Sequence, residues 1–140
     1  MSGFDRAVLA EKASAIERHL ARVADRLPAD PEQFKPSTDA SDAVILHLWQ
    51  AVQAVIDLAL AACLYLHLGT PNNYGEAFER LARDGYLEAG LAERLTRAAG
   101  FRNVVAHTYD RLDMARVYKA AREGPADLRA FLAVLRDLIA

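Results

Sequence analysis

The sequence predicts an all-α fold, an up-and-down helical bundle with one or two short extra helices. Three observations predict it. Apolar residues recur at steps of three and four through the long segments, which lines one face of a helix. No segment shows the strict alternation of a half-buried strand, and there is no internal repeat. Stretches bearing proline or glycine punctuate the periodic segments.

In chain order, Leu9, Ala13, Ile16, Leu20, Val23 and Leu27 line a first helix, which Pro28 and Pro31 stop. Residues 28 to 37 carry three of the five prolines and read as a connecting loop. A second helix starts at Ser37, Thr38 or Asp39, all good N-caps, and runs to about Leu68, before Gly69-Thr70-Pro71. It is apolar on most sides, through Val44, Ile45, Leu48, Trp49, Val52, Val55, Ile56, Leu60 and Leu64. Such a helix is central. In a chain this short, that points to cover from its own bundle on one side and from a partner subunit on another. Gln50, Gln53 and Asp57 are the polar exception and share a face. Asn72 to Gly75 form a loop, a short helix spans about Glu76 to Arg83, and Asp84-Gly85 closes it. The next helix runs from Leu87 or Glu88 to about Thr108. A shorter one follows Asp113, and Gly124-Pro125 separates it from a last helix ending near Ile139.

The 140 residues fit one domain, 1–140, long enough to bury a core without staples. With 53% hydrophobic and 26% charged residues, the composition is that of a globular chain and excludes wholesale disorder. Cys63 is the single cysteine, so no internal disulfide forms, which fits a reducing compartment. Met1 to Lys12 are charged and lack the apolar stretch of a secretory signal. The longest purely apolar run, Leu58 to Leu66, is far short of the ~20 residues of a bilayer span. The expectation is a cytoplasmic protein with no membrane association. Four scattered histidines give no metal-ligand spacing, and no metal or cofactor is expected.

Net charge is −2, so no global field draws in a polyanion. Between Arg94 and Arg122, however, seven basic residues stand against two acids, Asp110 and Asp113. That bias reads either as a local patch for a polyanion or as an ordinary solvated face.

The stretch Arg102-Asn103-Val104-Val105-Ala106-His107-Thr108-Tyr109 carries the residues with chemistry. Asn103 and His107 are four apart and share a face. Arg102 and Tyr109, seven apart, share a neighbouring one. Arg102 and His107 point apart by about 140° on a helix. Either the long arginine swings round, or a second copy of the helix across a two-fold axis completes the site. The set suits RNA cleavage without a metal. A 2′-hydroxyl attacking its adjacent phosphate needs proton transfer, for which His107 has the right ordinary pKa, and a cation for the phosphate, which Arg102 supplies as a planar fork. Asn103 orients His107 or donates to phosphate. The bland alternatives are a histidine at a favourable helix C-terminus and a surface arginine.

The run FRNVVAHTYD resembles the R-N-x-x-x-H-x-Y signature of HepT-type HEPN domains, the toxin halves of HepT/MntA (type VII-like) toxin–antitoxin pairs. The resemblance extends to YGEAFERLARDGYLEAGLAERLTRAAGFRNVVAH, to QAVQAVIDLALAACLYL with Asp57, and to MARVYKAARE, so it covers nearly the whole chain. It implies a homodimeric helical bundle in which two motif helices build a composite site. It implies endoribonuclease activity with Arg102 and His107 as the catalytic pair and Asn103 in support. It further implies a nucleotidyltransferase antitoxin of the MntA kind, able to transfer AMP to the motif tyrosine, here Tyr109. An AMP there adds bulk and negative charge where RNA phosphate would bind. The alternative is a non-catalytic HEPN subunit that serves as the nucleotidyltransferase's target.

Asp57 reads as a buried acid that holds Arg102 or tunes His107, or equally as a structural pair or a polar contact across the dimer. Cys63 reads as packing and Trp49 as core or interface. His19 and His47 read as surface or helix-face residues and His67 as a helix-end residue. Tyr65, Tyr74, Tyr86 and Tyr118 have no motif context.

Overall fold

The computed structural model describes residues 5–139; residues 1–4 of the charged N-terminal segment, and residue 140, lie outside the described residues. The described residues form five α-helices and no strand: α1 (Arg6–Arg26), α2 (Asp39–Tyr65), α3 (Tyr74–Arg83), α4 (Ala89–Thr108) and α5 (Met114–Leu138). Short 3₁₀ turns, Pro31–Gln33 and Tyr109–Arg111, precede α2 and follow α4. The all-α bundle expected from periodicity is the fold observed.

Local chemistry sets the helix ends. Asp5 caps α1 by accepting from the Val8 amide at 2.9 Å, and Leu27, just ahead of Pro28, turns extended to end it. Of the three candidate caps for α2, Thr38 is the one used. Its hydroxyl accepts from the Ser41 amide at 3.0 Å, and the Ser41 hydroxyl accepts from the Thr38 amide at 3.1 Å. The helix stops at Tyr65, three residues earlier than expected. His67 takes the left-handed conformation (φ 60). The Leu68 amide reaches back to the Cys63 carbonyl at 2.9 Å and the His67 amide to Leu64 at 3.2 Å, a Schellman closure with a non-glycine residue in the glycine position. Asn73 caps α3 through the Glu76 amide (2.9 Å), so α3 starts two residues before the sequence suggested.

Helix α2 is central, packing against α1, α3, α4 and α5. Val44, Leu48, Ala51, Val55, Ile56, Ala59, Ala62 and Cys63 are all buried, as its all-round apolar character requires. It is also the one helix among the described residues long and apolar enough to cross a bilayer by length and composition; half of that stretch is buried inside the bundle, as in a core helix. Its remaining stripe is open: Leu46 and Leu64 are 51% and 60% exposed, with Asp57 exposed between them. Cys63 packs as expected, its thiol near the Ala77 carbonyl at 3.5 Å, and burial raises its pKa. His19 and His47 face each other between α1 and α2, with Nδ1 atoms 3.0 Å apart. Burial, then the neighbouring His47 and Arg18, lower the His19 pKa.

The expected break at Gly124-Pro125 does not occur. Helix α5 runs through it from Met114 to Leu138 with Pro125 inside. A proline in a helix interior costs about 3 kcal/mol through its lost amide and its clash with the preceding turn. The stripe explains why the helix continues. Val117, Ala121, Leu128, Leu132 and Leu135 are buried and lie within about 60° of one another if the helix is unbroken. Each large side chain so buried contributes about 1.5–3 kcal/mol. Phe131, fully buried, also meets Phe78 of α3 edge-on at 5.6 Å. In-phase burial on both sides of Pro125 outweighs the local penalty.

Candidate active site

The motif occupies the C-terminal end of α4. Its buried stripe runs Leu91, Leu95, Ala99 and Val105, and Arg102, seven residues after Leu95, falls on that stripe. A cation at a core position needs compensation, and three elements provide it. Arg102 Nε donates to Gln53 Oε1 of α2 at 2.7 Å. The guanidinium carbon lies 5.4 Å from the Trp49 ring centroid and 5.5 Å from that of Tyr74, at the start of α3. Each such contact is worth about 0.5–2 kcal/mol, depending on desolvation. Nη1 donates more weakly to Asn103 Oδ1 at 3.3 Å. The fork is therefore aimed by its Nε edge.

Gln53 connects this cation to Asp57. Its Nε2 donates to Asp57 Oδ1 at 3.0 Å while its Oε1 accepts from Arg102. Both ends of the amide are satisfied with the right polarity. Asp57 itself is exposed, not buried as expected, because the stripe of α2 that bears it is left uncovered in one chain. Its link to Arg102 runs through Gln53, and it has no contact with His107 among the described residues. Gln53, which aims Arg102, carries no motif of its own in the sequence. The shared face of Gln50, Gln53 and Asp57 was the signal for it. Trp49 and Tyr74 gave no such signal.

The position of Tyr74 is set by the loop before it. The Glu76 carboxylate accepts from the Asn72 amide at 3.0 Å and pairs with Arg80, and Arg80 Nη1 donates to the Leu68 carbonyl at 2.8 Å. These hydrogen bonds hold the Glu76 carboxyl below its usual range, the Asn72 amide being the larger cause. Gly69 (φ 86) lets the loop pass: a Cβ there would sit 2.8 Å from Arg80 Nη1.

His107 lies elsewhere, on the face that Asn103 shares. Both are exposed, beside Gly100 and the half-exposed Val104, and His107 has no hydrogen-bond partner among the described residues. Helix α4 is regular through both residues, so the separation of about 140° between Arg102 and His107 persists. One chain does not bring the pair together.

Tyr109 lies just beyond α4, which ends at Thr108. The Thr108 hydroxyl bonds the Val104 carbonyl at 2.7 Å, competing with the backbone ladder, and the chain enters the 3₁₀ turn. Tyr109 then reaches α2, where its hydroxyl donates to Asp42 Oδ1 at 2.7 Å. Burial, then that hydrogen bond and the charges of Asp42 and Asp110, push the phenol up to about 12.

The basic bias between Arg94 and Arg122 is partly neutralised. Arg94 pairs with Asp127 at 2.9 Å, Arg97 with Glu93 at 3.4 Å and Arg116 with Asp113 at 3.7 Å. Among the described residues, no group of three or more His, Cys, Asp and Glu side chains is placed to hold a metal ion.

Fold and site together define an all-α domain that presents an arginine–histidine motif at the end of one helix. A family profile for ribonuclease HepT-like proteins matches residues 16–135, and the chain belongs to that family. Its activity class is that of a ribonuclease. The chain is 27% identical over 129 residues to the mRNA nuclease HepT of Shewanella oneidensis, covering 92% of this chain and 96% of the relative. It is similar to the tri-AMPylated Shewanella oneidensis HEPN toxin in complex with MNT antitoxin, with a TM-score of 0.83, 27% identity, and coverage of 92% and 96%. It is also similar to a toxin–antitoxin crystal structure with AMP-PNP, with a TM-score of 0.86, 26% identity, and coverage of 94% and 99%.

Proposed function

We propose that this protein is a metal-independent endoribonuclease toxin whose site combines Arg102 and Asn103 of one chain with His107 of a second copy. One observation carries the reading. A planar cation is fixed on the packed side of α4 by Gln53, Trp49 and Tyr74, while the histidine of the same helix end stands exposed. Arg102 is then the clamp on the scissile phosphate, stabilising the charge that grows as the 2′-hydroxyl attacks. His107 transfers the proton. Asn103, on the same face as His107 and within reach of Arg102, supports both. Asp57, acting through Gln53, is a positioning residue for Arg102. The open Leu46 and Leu64 stripe of α2 and the open Gly100, Val104 and His107 flank of α4 are the surfaces left for a second copy.

The regulatory partner proposed is a nucleotidyltransferase antitoxin of the MntA kind, which transfers AMP to Tyr109. The similar structures that contain an antitoxin, one of them with an AMPylated toxin, support this. The protein acts on cytoplasmic RNA.

The test is RNA cleavage by the purified protein in excess chelator. Arg102→Ala and His107→Ala each lose about 100-fold or more in rate with helical circular dichroism unchanged. Equal cutting by wild type and both variants would overturn the assignment. No cutting by unmodified wild type, alongside AMP addition at Tyr109, would instead favour a target subunit without nuclease activity.

A further inference from the structure

The carboxylate that meets Tyr109 is not needed to cap its own helix, although an acid in the first turn suits the helix dipole. Asp42 sits in the first turn of α2, but Thr38 and Ser41 already cap that helix reciprocally. No ion pair among the described residues involves Asp42. Its side chain is exposed, and its hydrogen-bonding partner is the Tyr109 hydroxyl at 2.7 Å, from 67 residues away in sequence. Tyr109 is 46% exposed and borders a cleft lined by Ser37, Ile45, Leu112 and Met114. A reagent can therefore approach the oxygen while its proton points at Asp42.

We propose that Asp42 is the general base for nucleotidyl transfer to Tyr109. This inference rests on the reading of Tyr109 as the modified residue. In the step, Tyr109 Oη forms a bond to the α-phosphorus of a nucleoside triphosphate supplied by the partner enzyme. The bond from that phosphorus to the oxygen bridging the β-phosphate breaks, and pyrophosphate leaves. The phenolic proton passes to Asp42 Oδ1 and then to water, to which the carboxylate is open. A base is needed because a phenol pushed up to about 12 is almost wholly protonated at neutral pH and a poor nucleophile. As the new P–O bond forms, the phenolic oxygen loses its hold on the proton, and a carboxylate already in contact receives it. The toxin would thus carry part of the chemistry of its own inactivation. Only the first nucleotide depends on Asp42, because any further one added to the first lies a nucleotide's length away.

The experiment is single-turnover AMP transfer from ATP, with the cognate nucleotidyltransferase saturating, followed by intact mass. Wild type, Asp42→Asn, Asp42→Glu and Tyr109→Phe are compared. The expected result is a loss of about 100-fold in first-AMP addition for Asp42→Asn, with partial recovery in Asp42→Glu. The Asn variant's rate rises steeply with pH between 7 and 10, about tenfold per unit as hydroxide replaces the lost base, while the wild type's does not. Products of the Asn variant are either unmodified or fully extended. Ultraviolet titration of the Asn variant moves the Tyr109 phenol down from about 12 only in part, because burial, the largest cause of its rise, and the charge of Asp110 remain. Wild-type rates and an unchanged pH profile in Asp42→Asn would overturn the proposal. If wild type accepts no AMP, or Tyr109→Phe accepts it equally, the underlying reading of Tyr109 fails instead. The Thr38–Ser41 cap is untouched in both Asp42 variants, so the start of α2 does not depend on the substitution.

Discussion

The two flanks of the end of α4 are built differently. On one, Arg102 follows Leu91, Leu95 and Ala99 along a buried stripe and meets side chains from α2 and α3. On the other, Gly100, Val104 and His107 face outward, and His107 has no partner among the described residues. The first flank is packed within a single chain; the second is open. A phosphate clamp works by geometry, and a long arginine keeps its direction only if packing restricts its rotamers. A proton-transfer group needs access to its substrate, so exposure suits it. In the proposed mechanism, placing the two about 140° apart on one helix lets the same short motif serve both needs, with a second chain closing the gap.

The comparison breaks or sharpens most sharply in a mixing experiment. Arg102→Ala and His107→Ala, each inactive alone, should regain about a quarter of wild-type cleavage when equilibrated together. Half the dimers are then mixed, and each holds one intact composite site of two. Measured rates that stay at the level of the single variants would place both residues of a site in one chain. Next in size is the Gln53 relay. Gln53→Ala should lower cleavage about tenfold by freeing Arg102, with no more than about 1 kcal/mol lost in denaturant unfolding. An unchanged rate would mean that Trp49 and Tyr74 alone aim the guanidinium. The smallest effect concerns the open flank. A Cβ at Gly100 meets nothing within 4 Å, so Gly100→Ala should gain about 0.5–1 kcal/mol of helix stability in dilute protein. That gain should shrink as concentration rises and a second copy covers the flank. A gain independent of concentration would leave the flank uncovered.

The Asp42–Tyr109 contact has its own pH signature. The folded phenol, pushed up to about 12, titrates above its unfolded value. The stabilisation from the contact is therefore complete below the ordinary tyrosine pKa and is lost as pH rises through about 12. At 46% exposure it is a small contribution to stability. Its weight lies in where the proton points.

The sequence by itself determined the all-α class, the central α2, the N-cap region of α2 and the extent of α4. Each follows from period, capping chemistry and proline or glycine positions, which are local properties. It also determined the motif and the angle between Arg102 and His107, because a regular helix fixes both. Tertiary structure decided the rest. Pro125 reads locally as a break, yet the in-phase burial of Val117, Ala121, Leu128 and Leu135 carries α5 through it. Asp57 reads as buried on an apolar helix, yet the bundle leaves its stripe open. Gln53, Trp49 and Tyr74 come from two other helices to hold Arg102, and Asp42 lies far along the chain from Tyr109. Contacts across such separations depend on how helices pack, and no period in the chain encodes which exposed polar groups that packing brings together.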